Sequence, residues 1–266
     1  MSLDQLLFYL LMLVLGAGVL QAIGIGGLFF FKRSGEKRAN WFYGLLLITF
    51  GLTLLHNIFV IIGFYIRYPR LSFLPVYYTL AFPVLLFYYV KLNLYPAYHF
   101  RRSDIKHFIL PIGQFLFFVI IFFTTVEYKS HLGRRFYNPF FGAFEQLLYL
   151  VSFFAYLYFA RRYVLQKRKN LRHRAELRKI FYLRLLIRVL FILFCVHTVF
   201  VVADFVCYEF FGINLRIVKP YAALGALSFA ALLYWLGIYG FQVLFWGRRV
   251  FGKPHSKGQS VVEKTP

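Results

Sequence analysis

The chain has 266 residues, of which 61% are hydrophobic, 23% aromatic and only 15% charged, and a mean hydropathy of +0.67; too few polar side chains are present to cover a soluble globular domain. Its formal net charge of +22 would suggest nucleic-acid binding in a soluble protein. In so apolar a chain it is read as membrane topology, and no direct nucleic-acid contact is expected.

Composition predicts an all-α, polytopic membrane protein. Seven apolar runs, at 5–31, 41–66, 71–92, 107–126, 139–160, 182–209 and 220–246, each approach or exceed the roughly 20 residues that span a bilayer as helix. They predict seven transmembrane helices in one domain over 1–247. The first run has Asp4 and no cation before it, and Lys32, Arg33, Lys37 and Arg38 after it, so it is not a signal peptide. Gly18, Ala22 and Gly26 recur on one face of it, which predicts close packing of a neighbouring helix, within the chain in preference to between chains. Gly24, Gly26 and Gly27 follow no strand, which excludes a nucleotide-binding loop.

The second run sets His56 beside Asn57 inside an apolar stretch, and such groups must find partners or shift their ionisation. Residues 67–70, Arg-Tyr-Pro-Arg, form a short external turn that makes the second and third runs a hairpin. Pro75 and Pro83 disturb the third helix, and Pro111 falls in the first turns of the fourth. Ser103 and Asp104 supply a cap and an anion ahead of the fourth helix. Asn138-Pro139 and Lys219-Pro220 start the fifth and the seventh. Cys195 and Cys207 share the sixth run twelve residues apart, about 18 Å along a helix, and cannot form a disulfide with each other.

By segment, 24 of the Lys and Arg residues fall on one side of these runs and 7 on the other. The positive-inside rule then puts the amino terminus outside and the carboxyl terminus in the cytoplasm. The densest basic block, at 161–179, contains Arg161, Arg162, Lys167, Arg168, Lys169, Arg172, Arg174, Arg178 and Lys179. It continues the fifth helix or leads into the sixth, as a contact for anionic membrane lipids or as a docking surface for a cytoplasmic partner. The basic tail at 248–266 is predicted to be disordered.

Ionisable residues inside the runs are few: His56, Glu145, His197 and Asp204. His197 and Asp204 are two turns apart on one face, and all four lie in the middle or outer half of the predicted membrane. With Asn57 they make a candidate ligand or proton site shared by the second, fifth and sixth helices. The plain alternative is that each histidine is a neutral imidazole bonded to a neighbouring helix, with Glu145 reaching towards water. Their spread in depth argues against a metal site or an enzyme, and no cofactor is implied. The last run contains no lysine for a Schiff base.

Several stretches resemble a known module: L-L-H-N at 54–57, G-F-Y-I-R-Y-P-R-L at 63–71, P-V-L-L-F-Y-Y-V-K at 83–91, D-I-K-H-F-I-L-P at 104–111 and Y-W-L-G-I-Y-G-F at 234–241. They are similar to the multi-helix membrane sensor region at the amino terminus of bacterial AraC-type membrane-bound transcription regulators. In that family a histidine recurs at the place of His56, and an Asp-x-x-His-Phe-x-x-Pro pattern matches Asp104, His107, Phe108 and Pro111. The resemblance spans most of 40–245. It implies a sensor in the bacterial inner membrane; since the regulators' DNA-binding domain is lacking here, the output is expected in another polypeptide. A solute carrier or channel of three-plus-one-plus-three helices, or a structural or regulatory subunit of a larger membrane complex, stands as an alternative.

Overall fold

A computed structural model of the protein describes residues 2–33, 35–132, 142–169, 174–215 and 218–250. Among these residues the fold is all-α. The helices are α1 (Leu3–Phe31), α2 (Lys37–Ile61), the single turn α3 (Phe64–Arg67), α4 (Ala81–Leu94), α5 (Ile109–Phe122), α6 (Val126–Leu132), α7 (Gly142–Lys169), α8 (Arg174–Phe211) and α9 (Lys219–Val250). Five helical stretches are long and apolar enough to cross a membrane: α1, α2, Arg102–Phe122, Leu177–Phe211 within α8, and Pro220–Phe245 within α9. Such stretches are helical because a helix satisfies its own backbone groups where no water can.

Local chemistry sets the ends. Ser2 caps α1: its hydroxyl accepts from the Gln5 N–H at 3.3 Å and the Gln5 side chain accepts from the Ser2 N–H at 3.1 Å, a reciprocal capping box. The second apolar run was expected to stay helical to 66, but α2 stops at Ile61 because Gly63, at φ +69°, takes the left-handed conformation that closes a helix. The third departs further, since α4 begins at Ala81 and not near 71. Phe73 is left-handed at φ +62°, and Pro75 disfavours helical geometry at residue 74. The chain from 72 to 80 is therefore non-helical, and α4 measures about 21 Å at 1.5 Å per residue. Pro111 sits in the first turn of α5, where its missing N–H costs nothing. Further on, α7 and α8 both run into the basic block, and the 138–139 cap, residues 170–173 and the tail beyond 250 lie outside the described residues.

Around α4 the long helices close a bundle. From Phe82 to Leu94 every residue of α4 is buried, which fits a helix apolar all round. It packs against α2 and α7; α7 packs on α8, α8 on α9, and α9 on both α1 and α2. Where α1 meets α2 the backbones nearly touch, and a Cβ added to Gly44 would lie 2.8 Å from the Gly26 carbonyl oxygen. Gly18, Ala22 and Gly26 are all buried there. In the centre Phe50 stacks on Phe82 at 3.7 Å and Phe153 on Phe194 at 4.0 Å.

Candidate functional site

The break before α4 creates the site's polar framework, because backbone groups that leave a helix within an apolar bundle need other partners. Side chains of α2 and α5 provide them. Thr53 Oγ1 accepts from the Tyr78 N–H at 3.1 Å, and Gln114 Oε1 accepts from the Leu80 N–H at 3.1 Å. The Gln114 amide then donates to Thr79 Oγ1 at 3.0 Å and to the Glu145 carboxyl of α7. Glu145 is 5% exposed, so it is drawn inward and does not reach to solvent.

His56 stands on the other side of the same break. Its Nδ1 shares a 2.9 Å hydrogen bond with the Tyr65 hydroxyl, and its ring centroid is 5.2 Å from that of Tyr77. Asn57 is half-buried beside it. On α8, His197 is buried with Nδ1 2.9 Å from Ser228 Oγ. Ser228 donates to the Gly225 carbonyl at 2.7 Å, which commits its proton; the hydrogen-bond pattern thus assigns the imidazole proton to Nδ1 and leaves Nε2 an acceptor. Asp204 is buried two turns further along α8.

Tyr149, one turn along α7 from Glu145, joins these groups. Its ring centroid is 6.4 Å from His197 and 6.1 Å from Phe82, in the first turn of α4, and it is within electrostatic reach of Tyr77. Tyr149 is 3% exposed, and its hydroxyl oxygen is buried without a hydrogen-bond partner. Leaving such a group unmatched costs about 1–3 kcal/mol. His56 thus meets Tyr77 and His197 meets Tyr149, two residues that sequence reasoning missed, while Glu145 is held by Gln114.

A second polar cluster sits at the opposite end of α4. Asp104 accepts from the Tyr88 hydroxyl at 2.9 Å, from the Tyr98 hydroxyl at 2.6 Å and from the Arg101 N–H at 2.7 Å. Lys91 Nζ lies 3.6 Å from the same carboxylate and 3.7 Å from the centre of the Tyr98 ring. Both charges are buried. Burial together with the bond to Asp104 pushes the Tyr98 phenol up to about 12. Next to it the His107 Nδ1 bonds the Tyr156 hydroxyl of α7 at 2.6 Å. Spacing marks Asp104 as an anion at a helix start, and nothing local distinguishes Lys91 from Arg101, Arg102 and Lys106 as its partner.

In the basic block, Arg161, Arg162, Arg168 and Arg178 are exposed, Lys167 and Lys179 are half-buried, and Lys167 Nζ lies 5.1 Å from the Tyr95 ring centre. Lys169 and Arg174 are helical, and Arg172 lies outside the described residues. Cys195 and Cys207 are free. No group of three His, Cys, Asp or Glu side chains among the described residues is arranged to hold a metal ion. Comparison with protein-family models, curated proteins and solved structures finds no match to this chain.

Proposed function

We propose that the protein is a seven-helix sensor subunit of the bacterial inner membrane, with its amino terminus outside and its carboxyl terminus in the cytoplasm. In this reading α4 and α7 complete the seven spans, and a small or lipid-like ligand enters from the outer half. It bonds the Tyr149 hydroxyl within the layer bordered by His56, Glu145 and His197, with Asp204 nearer the entrance. Ligand binding shifts α7 against α8 and moves their basic cytoplasmic ends, where a signalling partner docks. Such a shift requires the ligand to prefer one of two arrangements.

One observation carries this reading: the Tyr149 hydroxyl is buried without a hydrogen-bond partner where α7 meets His197 of α8 and the first turn of α4. A ligand hydroxyl or carbonyl that paired with it would recover the lost hydrogen bond. The first turn of α4 is a poor anion site, since Leu80 N–H and Ala81 N–H are already bonded and Pro83 has no N–H to give. The expected ligand is therefore uncharged or carries its charge away from α4.

The test is a thermal-shift screen of neutral amphiphiles on the full chain in nanodiscs. Compounds that stabilise the wild type by several degrees should lose that effect in Tyr149→Phe, which itself should be as stable as the wild type or slightly more so. A screen in which every hit stabilises both proteins equally would refute the site. A second reading, a small-solute carrier, is favoured by the interrupted third segment, because discontinuous helices form substrate sites in carriers; solute uptake into sealed vesicles abolished by Tyr149→Phe would select it.

A further inference from the structure

We propose that the outer seam between α7 and α8 binds the phosphodiester of an anionic phospholipid, held by Arg161, Arg184 and Arg188 with Tyr158 beside them. This is independent of the Tyr149 site and rests only on the reading of α7 and α8 as membrane helices.

The register of the two helices supplies the geometry. They run antiparallel with Phe153 against Phe194 and Tyr149 against His197. The same register, carried on along both helices, sets Arg161 level with Arg184 and Tyr158 level with Arg188. Phe154 of α7 and Phe191 of α8 meet at 5.9 Å, and Phe191 is exposed, so this contact marks the outward side of the seam. Arg161 and Arg184 each lie seven residues from that contact, within about 20° of it around their helices at 3.6 residues per turn. Two arginines therefore project from neighbouring helices at one level and on one face.

Arg161, Arg184 and Arg188 are exposed, and neither the Arg38–Glu36 nor the Lys91–Asp104 ion pair involves them. The whole stretch 161–188 contains eleven cations and a single acid, Glu176. Like charges set side by side repel, and an anion between them converts that repulsion into attraction. Guanidinium groups match a phosphate's geometry with paired N–H donors.

What lies above the arginines identifies the phosphate as a lipid's. Ile192, Val196 and Val199 continue the exposed face of α8, and Val151 with Tyr158 continues that of α7. An apolar stripe that ends in arginines is suited to acyl chains along the stripe and a headgroup at its end. A free phosphate would use the arginines and leave the stripe without a role.

Native mass spectrometry of the full chain, purified with an equal mixture of phosphatidylglycerol and phosphatidylcholine, tests this. The expected result is retention of phosphatidylglycerol in preference to phosphatidylcholine, reduced at least tenfold in Arg161→Gln/Arg184→Gln. The remote pair Arg67→Gln/Arg70→Gln, with the same loss of charge, should retain it fully. Arg161→Lys/Arg184→Lys preserves the charge and safeguards folding, and should retain less than the wild type because an ammonium lacks the paired donors. The proposal is overturned by equal retention of the two lipids, by undiminished retention in the Arg161 and Arg184 variants, by an equal loss in the Arg67 and Arg70 variant, or by displacement with millimolar inorganic phosphate.

Discussion

Lys91 and Asp104 show why a charge count and a structure can disagree about one residue. Each is buried, and burial of an isolated charge is costly unless it is paired and hydrogen-bonded. Here Asp104 accepts three hydrogen bonds while Lys91 is closed in by Tyr98, Tyr88 and Phe87 as well as by the carboxylate. The pair ties the end of α4 to the turn that starts α5. Since removing one partner leaves the other charge buried and unmatched, Asp104→Asn is expected to destabilise the protein by about 3–5 kcal/mol. Lys91→Met combined with Asp104→Asn should be less damaging than Asp104→Asn alone. Thermal unfolding of Lys91→Met, Asp104→Asn and the double variant in the same detergent checks this, and additive losses would show that the contact is incidental. The two residues belong to stretches on which the family resemblance rested, and the pair gives those stretches a structural reason that does not depend on any function.

At the scale of helices, the α1–α2 contact depends on an absence of side chains. The Gly44 position faces the Gly26 carbonyl, a backbone group that cannot rotate aside, and also the Phe29 Cβ at 3.3 Å. Gly44→Ala should therefore cost about 1–3 kcal/mol through overpacking. Gly16→Ala, with nothing within 4 Å of the added methyl, should be neutral or slightly stabilising through helix propensity. Melting curves of the two single variants distinguish contact from propensity, and equal effects would refute the close approach. The small-residue face at 18, 22 and 26 was legible because spacing alone puts such residues on one side of a helix. Helix existence was legible too, since an apolar run of sufficient length has few other solutions in a bilayer. The start of α4 was not: Pro75 and Pro83 announced a disturbance, but its extent follows from Phe73 turning left-handed and from Gln114 and Thr53 satisfying the freed backbone. Those partners come from 25 to 34 residues away, beyond the reach of local pattern. The same limit hid Tyr149, whose contact with Phe82 depends on how α4 and α7 dock.

For the molecule as a whole, the proposed orientation sets the Tyr149 layer towards the outside and the basic ends of α7 and α8 towards the cytoplasm. Withdrawing Lys91 into its buried pair leaves 23 cations on the side assigned to the cytoplasm against 7 on the other, so the bias survives the correction. Three features fit the same direction. Arg67 and Arg70 are exposed in the short connection after α2, the interrupted segment that follows is on that side of α4, and the described cations of 161–188 gather within the opposite ends of α7 and α8. Single cysteines introduced at Arg70 and at Lys106, in a background with Cys195 and Cys207 replaced by serine, should separate the two sides. A membrane-impermeant maleimide added to intact cells is expected to label position 70 at once and position 106 only after lysis. The reverse pattern would invert the molecule, place Tyr149 and the histidines nearer the cytoplasm and turn the basic block outward, where neither an anionic inner leaflet nor a cytoplasmic partner could meet it. Labelling of both positions in intact cells would instead mean that the helices between them do not cross the membrane an odd number of times, and would require α4 to be a buried core helix rather than a span.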